Sequence, residues 1–365
     1  MDISHLIISF AVALIIGFVS IPKVVRVAIK KNLVAKPNHR TSHTGRIPNV
    51  GGISIFISFI LAFFLASNLG MGQNLQYLMF TVLVLFFVGL YDDIMIISAR
   101  RKLIEELFGI SIMIFWGDLR LTSLHGFFGV YELPYVASVL LTFFVTVVII
   151  NAINLIDGID GLAAGVGMII SLFFGAYFYL LGMEQLSIVA FSLLGALVPF
   201  FIYNVFAKRG KIFMGDAGAL VLGVILAALT ISFNEANIPA TSVYHIINVP
   251  MVSICILVIP MFDTIRVFTI RIIQKRSPFS PDKNHLHHMF LALGYNHKQS
   301  TGILLLINVI YMAIGLLCQH LPKFFFFMMI FLSCILWSEA VRALVKTKEK
   351  SKERELRCNE GIVMD

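Results

Sequence analysis

The sequence predicts an all-α integral membrane protein of about eleven transmembrane helices, with its N-terminus outside and its C-terminus in the cytoplasm. Of its 365 residues, 59% are hydrophobic and only 13% are charged, roughly half the charged share that covers a soluble protein. The mean hydropathy is +0.92. A water-soluble fold is thereby excluded, and we interpret the net charge of +8 as a sign of membrane topology and not of a nucleic-acid partner.

The individual helices follow from apolar stretches that approach the roughly 17 to 25 residues needed to cross a bilayer. They lie at 4–22, 50–70, 76–91, 103–117, 135–153, 161–181, 186–206, 217–233, 247–265, 301–318 and 323–341. The first stretch has no basic residue before it and is followed by Lys23 and Arg26. This order predicts a retained helix and not a cleaved signal peptide.

The basic residues support this topology, because cytoplasmic loops carry the excess of Lys and Arg. With the N-terminus outside, 26 of the 28 Lys and Arg fall in inside segments, and only Arg120 and Lys323 fall outside. We expect one polytopic transmembrane domain over 1–345 and a cytoplasmic tail of mixed charge over 346–365. The outside stretch 118–134 alternates weakly and is compatible with a short hairpin.

Six aspartates lie at the predicted cytoplasmic ends of the spans: Asp92, Asp93, Asp157, Asp160, Asp216 and Asp263. An ionisable side chain at membrane depth costs at least ~2.5 kcal/mol on insertion scales, so each one requires a reason. Helix ends are polar wherever water begins, which would account for a single aspartate. Six on one face instead predict a carboxylate-rich site at the cytoplasmic surface.

The neighbouring carboxylates of Asp92 and Asp93 repel each other unless a cation compensates them. Two solutions are open. Basic side chains follow closely at Arg100, Arg101 and Lys102. Alternatively, a hard divalent cation such as Mg²⁺ binds one or two carboxylates together with substrate phosphates.

The next element has polar residues at every third position: Asn151, Asn154, Asp157 and Asp160. Because this period drifts around an α-helix, the four cannot share one helical face. Gly158 and Gly161 predict a break from which the chain re-enters the membrane, so that the polar groups converge on a notch. The alternative is that Asp157 or Asp160 caps a helix.

A third element, F-M-G-D-A-G, runs from Phe213 to Gly218 just before a span. Its glycines, Gly215 and Gly218, would let the backbone approach a ligand, and a helix N-terminus favours phosphate. Asp216 is either an N-cap or a ligand-binding carboxylate. Phe213 is either an interfacial aromatic residue or a platform for a base.

The inside loop 266–300 carries Arg266 and a histidine segment with His285, His287 and His288. A zinc site would need a further ligand, and the sequence has no H-E-x-x-H motif or neighbouring Cys. Donors around a phosphate are the better interpretation. The first inside loop adds more donors, including Arg40 and His43, before a Gly-Gly entry to the second span.

In this order, and all on the predicted cytoplasmic side, these motifs resemble those of the polyprenyl-phosphate N-acetylhexosamine-1-phosphate transferases, glycosyltransferase family 4. The likeness runs from about Arg40 to His297 and includes the number and orientation of the spans. The H-L-H-H segment is similar to that of the N-acetylglucosamine-type branch. The resemblance implies transfer of a sugar-1-phosphate, GlcNAc-1-phosphate by the branch, from a UDP-N-acetyl-hexosamine to undecaprenyl phosphate, with release of UMP.

The resemblance also implies roles for the motif residues. Asp216 would be the leading ligand of Mg²⁺, or of Mn²⁺ in its place, and Phe213 would stack on uracil. Asp157 would lie near the diphosphate. Asp92 and Asp93 would position or deprotonate the lipid phosphate.

The remaining implied roles belong to donors and to groups that compensate charge. Lys102 would compensate the acidic pair. The residues expected along the nucleotide are Asn151, Asn154, Asp160 and Asn204. The donors expected to hold the diphosphate, the sugar or other parts of the substrates are Arg266, His285, His287, His288, Arg40 and His43.

A rival interpretation is a polytopic solute or ion transporter, since transporters also break helices at polar sites. A transporter predicts charges near the membrane centre and on both sides of a pathway, whereas here they gather at one face. We therefore expect an enzyme of the bacterial inner membrane that is active at the cytoplasmic face. Its expected partners are a UDP-sugar, a polyprenyl phosphate and the lipid bilayer, with a homodimer as the candidate assembly.

Overall fold

The computed structural model describes residues 3–31, 47–67, 74–95, 97–239, 242–276 and 285–362, with side chains up to residue 351. These residues form thirteen helices. An isolated β-bridge joins Phe127 and Val130, where the sequence was compatible with a hairpin. The prediction of an all-α protein is therefore confirmed for the part of the chain that the structure describes.

The helices are α1 Ile3–Lys30, α2 Gly51–Ala66, α3 Leu75–Met95, α4 Ala99–Phe115, α5 Tyr135–Ile156, α6 Leu162–Leu180, α7 Glu184–Val205, α8 Gly215–Ala236, α9 Val249–Ile256, α10 Val258–Ile273, α11 Leu286–Ala292, α12 His297–Leu317 and α13 Lys323–Ile362. Each predicted apolar stretch coincides with one of these helices, except that 247–265 is divided between α9 and α10. The short helix α11 lies in the predicted inside loop.

The helices are those of a multi-pass membrane protein. By length and apolar composition, α1, α3, α5, α6, α7, α8, α12 and α13 are candidate membrane spans. The pair α9 and α10 is a ninth candidate, bent by 81°. The apolar helix α2 has only 16 residues, and α4 has 17 residues with a charged first turn. The count of eleven spans, their orientation and the domain boundary at residue 345 stay predictions.

The bend between α9 and α10 has a local cause. Pro260 lacks an N–H, so the carbonyl of Ile256, four residues earlier, has no helical donor. The side chain of Asn308 in α12 donates to this carbonyl at 3.1 Å. A polar residue of one span thus satisfies the backbone of another, as a broken helix in a membrane requires.

The central helix is α8, and nearly all of its residues are buried. It packs against α3 and α5, and also against α2 and α6. The neighbours approach closely where they carry glycine. A Cβ on Gly52 would lie 2.2 Å from the backbone nitrogen of Gly218, and a Cβ on Gly89 would lie 2.5 Å from the Cα of Ala217. Such small residues allow membrane helices to pack backbone against backbone.

The two ends of α8 are polar. At its C-terminal end, Glu235 accepts hydrogen bonds from the backbone N–H and the hydroxyl of Thr122, at 2.8 and 2.6 Å. At its N-terminal end, α8 meets the C-terminal part of α3 and the segment that follows α5. Because α3 and α5 run antiparallel to α8, their last residues lie beside its first ones, and the sequence motifs come together there.

Candidate active site

Asp93 caps the N-terminus of α8, the helix that carries Asp216. Its Oδ1 accepts hydrogen bonds from the Asp216 backbone N–H at 2.8 Å and from the Asn49 amide at 2.9 Å. Its Oδ2 accepts the N–H of Ala217 at 3.0 Å. The first N–H groups of a helix lack helical partners and carry the positive end of its dipole, so a carboxylate stabilises them. Two of the N–H groups that we expected to favour phosphate, those of Asp216 and Ala217, are therefore bound by the protein.

The glycines of F-M-G-D-A-G leave room for the contacts that α8 makes with Asp93 and Gly52. Gly215 has a φ of +73°, and a Cβ there would lie 2.7 Å from Oδ2 of Asp93. A Cβ on Gly218 would lie 3.0 Å from the Cα of Gly52. Protein atoms fill both Cβ positions, so packing within the protein already requires glycine there. The approach of a ligand to this backbone stays a prediction. Asp216 is not the N-cap, since Met214 holds that position.

The side chain of Asp216 lies at the centre of a charged cluster. Its Oδ1 contacts the Lys102 ammonium and accepts a hydrogen bond from the Asn154 amide at 2.7 Å. The same ammonium lies 3.0 Å from Oδ2 of Asp92. Lys102 therefore joins Asp92 of α3 to Asp216 of α8.

The neighbouring basic residue has a different partner. Arg101 pairs with Glu105, one turn later on α4, at 2.8 Å. Of these two basic residues, Lys102 faces the aspartates and Arg101 faces Glu105. Which basic side chain compensates the aspartates therefore depends on the direction in which it leaves the axis of α4.

The predicted break after the polar repeat is present. Helix α5 ends at Ile156, Gly161 has a φ of +79°, and α6 begins at Leu162. Asp157 is the C-cap residue of α5, and no side chain caps α6. The alternative in which Asp157 or Asp160 is an N-cap is therefore wrong.

Asp157 lies half-buried in this break, within electrostatic range of Asp216, Asp93 and Asp160. Burial raises the pKa of Asp157 well above its ordinary value, and the three neighbouring negative charges raise it further. A bound cation would remove both penalties. The position therefore suits a carboxylate that meets a cation or the charged part of a substrate complex.

Asp160 belongs to a second group on the other side of the break. Its Oδ2 lies 2.6 Å from the Lys211 ammonium and 3.5 Å from Nδ1 of His297, and its backbone carbonyl accepts from the Thr301 hydroxyl at 2.7 Å. Burial raises the pKa of Asp160, but the bonds to His297 and Lys211 outweigh burial and hold the pKa below its ordinary value. Lys211 also lies over the ring of Phe213, 5.8 Å from its centroid. Two residues predicted along the nucleotide are thus joined by a lysine that the sequence analysis did not single out.

Asn204 supports this second group from behind. Its Oδ1 accepts the N–H of Gly161 at 2.6 Å, and its Nδ2 donates to the carbonyl of Ile212 at 2.8 Å. The residue is 4% exposed. Both halves of its amide therefore bind backbone and position the break and the segment before α8. The nucleotide contact that the resemblance implies for Asn204 stays a prediction.

The histidine segment forms a third group, anchored by the buried Asp263 of α10. Oδ2 of Asp263 lies 2.9 Å from Nδ1 of His285. Its Oδ1 accepts the N–H of Leu286 at 2.9 Å and lies 3.2 Å from the Arg266 guanidinium. Asp263 thus binds the first turn of α11 and holds two predicted donors, a function that its place at a span end did not disclose.

His287 connects this third group to the break between α5 and α6. A Cβ on Gly158 would lie 2.7 Å from Nε2 of His287. Burial, together with the neighbouring His288, lowers the pKa of His287 to about 3. The ring is therefore neutral near pH 7, and it brings no positive charge to a phosphate. The packing against Gly158 makes His287 a contact between two motifs.

Arg266 and His288 line a cleft of about 500 Å³ between α10, α11 and α13. Arg342 and Lys346 of α13 also line it. The described residues around this cleft do not include the aspartates near Lys102. The structure therefore brings the predicted residues into three neighbouring groups and not into one.

Asn151 lies near Glu106, a residue that the sequence analysis did not single out. Its amide donates to the carbonyl of Val147 in its own helix at 2.9 Å, and it lies within hydrogen-bonding reach of Glu106. Glu106 is 2% exposed, although it is charged and lies in α4. The available signal was its spacing of four residues from Lys102, which places the two on one helical face.

The donors near Asp216 suit a hard divalent cation whose remaining ligands are phosphate or water. Among the residues that the structure describes, no three His, Cys, Asp or Glu side chains are arranged to hold a metal ion. Mg²⁺, however, uses one or two protein carboxylates and takes its other ligands from phosphate and water. Asp216 and Asp157 supply such carboxylates, and Asp93 adds to the excess of negative charge around Lys102.

Two predicted donors, Arg40 and His43, lie outside the described residues and stay predictions. The described groups bring Lys102 of α4 and several aspartates to the ends of α3, α5 and α8, where His287 of α11 packs against Gly158. Such an arrangement suits a reaction between phosphates, in which positioning and charge neutralisation carry most of the catalysis.

Comparison with known proteins agrees with this chemistry. The family model described as Glycosyl transferase family 4 matches residues 75–234. Undecaprenyl-phosphate alpha-N-acetylglucosaminyl 1-phosphate transferase of Escherichia coli (strain K12) is 31% identical over 347 residues, which cover 92% of this chain and 91% of the relative. The protein of the same name from Yersinia pestis is 32% identical over 326 residues, or 87% and 86% of the two chains.

A third bacterium has a similar protein. The probable undecaprenyl-phosphate N-acetylglucosaminyl 1-phosphate transferase of Bacillus subtilis (strain 168) is 31% identical over 325 residues, which cover 84% of this chain and 83% of the relative. The range matched by the family model runs from α3 to α8 and includes Asp92, Asp93 and Asp216. With this identity maintained over most of its length, the chain belongs to glycosyl transferase family 4.

Proposed function

We propose that this chain transfers N-acetylglucosamine-1-phosphate from UDP-N-acetylglucosamine to undecaprenyl phosphate and releases UMP. The observation that carries the proposal is the shared position of Lys102 between Asp92 and Asp216, in a membrane protein whose relatives are named for this transfer. The transporter alternative is not favoured, because those relatives are named as transferases and the aspartates of the three motifs gather at the N-terminal end of α8.

The proposed reaction is a displacement at phosphorus. A phosphate oxygen of undecaprenyl phosphate attacks the β-phosphorus of the UDP-sugar. The bond from that phosphorus to the oxygen shared with the α-phosphate breaks, and UMP leaves. Both reactants are anions, so the protein must hold them in line and neutralise their charge.

On the lipid-phosphate side, Lys102 is the residue that meets the incoming charge. Asp92 holds the ammonium at 3.0 Å, and Asp216 holds it from the opposite side. Asp93 acts through α8, because its carboxylate already accepts three hydrogen bonds. No carboxylate base is needed, since a phosphate monoester is largely ionised near neutral pH.

On the nucleotide side, Phe213 would stack on the uracil, with Asp160 and Asn154 along the nucleotide. Arg266, His285 and His288 would hold the diphosphate or the sugar, together with Arg40 and His43. Asp216, with Asp157, would hold Mg²⁺ or Mn²⁺, which when bound supplies positive charge against the clustered phosphates.

We further propose that the chain crosses the bacterial inner membrane eleven times, with its N-terminus outside and this site at the cytoplasmic face. The placement of 26 of the 28 Lys and Arg in the inside segments supports this orientation. The homodimer stays a prediction.

The direct test is UMP release by the purified protein in detergent from UDP-N-acetylglucosamine and undecaprenyl phosphate. We expect release that stops with EDTA, returns with Mg²⁺ and is lost in Asp216→Asn. A matched control is Asp118→Asn, because Asp118 is exposed and pairs with Arg120 in the loop 118–134. UDP-N-acetylgalactosamine in place of the glucosamine nucleotide tests the sugar. Solute movement across liposomes without UMP release would refute the proposal.

A further inference from the structure

Glu106 is the least expected charged residue of the membrane helices. It lies in α4 and is 2% exposed, whereas the neighbouring Glu105 is 28% exposed and pairs with Arg101. Burying a carboxylate is costly unless hydrogen bonds or a cation compensate it. The Glu106 carboxylate therefore needs a compensating partner. The contacts described for the site so far do not explain why a carboxylate is buried there.

Glu106 lies next to the charged cluster around Lys102. Asn151 lies within hydrogen-bonding reach, and Lys102 is the nearest compensating charge, with Asp216 and Asp92 also in electrostatic range. Lys102 and Glu106 are four residues apart on α4, so their side chains leave the same face of the helix. A flexible lysine can thus reach Glu106 by turning its side chain without movement of the helix.

Lys102 is at present engaged elsewhere. Its ammonium contacts Oδ1 of Asp216 and Oδ2 of Asp92. Oδ1 of Asp216 also accepts from the Asn154 amide. A divalent cation at Asp216 would meet this ammonium as a like charge within a few ångströms, and the two repel strongly where water is scarce. The lysine side chain is 18% exposed, so little open water is available to receive its charge.

We propose that Glu106 is a positioning residue that accepts the Lys102 ammonium when Asp216 binds a divalent cation. The hand-over keeps the lysine charge inside the site, beside Asp92 and the incoming phosphate, and frees Asp216 for the cation. It rests on the proposed cation-dependent transfer and adds a residue that none of the predicted motifs contains.

The hand-over is tested by Mn²⁺ binding to the purified protein without substrates, measured from the electron paramagnetic resonance signal of free Mn²⁺. We expect Lys102→Met to bind Mn²⁺ roughly tenfold more tightly, because the competing ammonium is gone. We expect Glu106→Gln to bind it several-fold more weakly, because Lys102 then has no second acceptor. Glu105→Gln removes the same charge one residue away and should leave binding unchanged.

The double variant separates the hand-over from a general effect of charge. In the Lys102→Met background, Glu106→Gln should change Mn²⁺ affinity by less than about twofold, since there is no ammonium to receive. An equal weakening in both backgrounds would show that Glu106 acts only as a distant negative charge, and the hand-over would be refuted. Weaker binding in Lys102→Met would refute it as well.

Two further measurements separate a loss of Mn²⁺ binding from a loss of folding. Glu106→Asp keeps the carboxylate and should restore most of the binding, and a thermal melt in detergent shows whether each variant is folded. If the wild-type chain binds no Mn²⁺, both the hand-over and the cation dependence of the proposed function fail. If it binds Mn²⁺ but the two substitutions act additively, only the hand-over fails.

Discussion

Asp93 accepts the backbone N–H of Asp216 at 2.8 Å, across 123 residues of sequence. This bond makes one unit of two motifs that the sequence presents separately, the acidic pair and F-M-G-D-A-G. It also divides the acidic pair by function. Asp92 faces the Lys102 ammonium, and Asp93 faces the first turn of α8.

Asp93→Ala should therefore lower both stability and activity. Loss of a helix cap costs about 1–2 kcal/mol, so the melting temperature in detergent should fall. A shift of α8 by about 1 Å would displace Asp216 and reduce UMP release on the order of 100-fold. Asp93→Asn, which keeps one oxygen acceptor, should lose less of both. Full stability with complete loss of activity would instead assign Asp93 to the chemistry itself.

Gly215→Ala should be among the most damaging single-methyl changes near the site. Gly215 has a φ of +73°, and the added Cβ would lie 2.7 Å from Oδ2 of Asp93 and 2.8 Å from the carbonyl of Asn49. We expect a loss of more than about 2 kcal/mol from backbone strain and overlap together.

Gly210→Ala is the matched control for that change. Gly210 has a φ of +77°, but a Cβ there would meet nothing within 4 Å. It should cost only the backbone term of about 1 kcal/mol and leave UMP release intact. Equal shifts of the two melting temperatures would contradict the cap contact as the reason for Gly215.

Lys211→Met should act on the nucleotide and not on the lipid. The change removes the 2.6 Å contact with Asp160 and the cation over the Phe213 ring, so both residues lose their fixed positions. We expect KM for the UDP-sugar to rise roughly tenfold, with a smaller change in kcat and in KM for the lipid phosphate. Lys208→Met, at an exposed lysine of the same loop, is the control. A loss confined to kcat would argue against this role.

The buried His287 should make the protein less stable in acid. Its pKa lies near 3 in the fold, and the ordinary value is 6.5. As the pH falls from about 6.5 towards 3, the unfolded ring takes up a proton and the folded one does not. Stability is therefore lost over this window, by at most about 1.4 kcal/mol per pH unit.

Melting curves of wild type and His287→Gln between pH 8 and pH 5 test this. The variant should melt lower than wild type at pH 8, with a smaller further decrease on acidification. Part of the acid sensitivity should remain in the variant, because burial and the charge of Lys323 lower the pKa of His125 to about 4. Parallel pH profiles of the two proteins would exclude His287 as a source of the acid sensitivity.

Most of the fold could be predicted because apolar length and charge are local properties of the sequence. The fifth span was expected at 135–153, and α5 continues to Ile156. The extension was missed because Asn151 and Asn154 suggest a helix end. In the structure Asn151 donates to its own helix and Asn154 donates to Asp216, so neither amide lacks a partner.

The residues of the site could be predicted far better than their partners. Asp216 and Asp92 were both identified, yet which basic residue joins them depends on the direction of three neighbouring side chains on α4. Glu106 and Lys211 were missed because each resembles an ordinary charged residue at a helix end or in a basic loop. Their importance appears only from burial and from contacts with distant motifs.

The sequence by itself determined that this is a polytopic helical membrane protein of glycosyl transferase family 4, with five aspartates in three ordered motifs. Hydropathy, charge bias and motif order do not depend on how the helices pack, so they can be recognised without the tertiary structure. Only the tertiary structure decided that Asp93 is a cap, that Lys102 is the shared cation and that Glu106 lies buried beside it. Those assignments depend on which helix ends meet, and close packing around the glycines that face α8 settles this over distances that no local pattern spans.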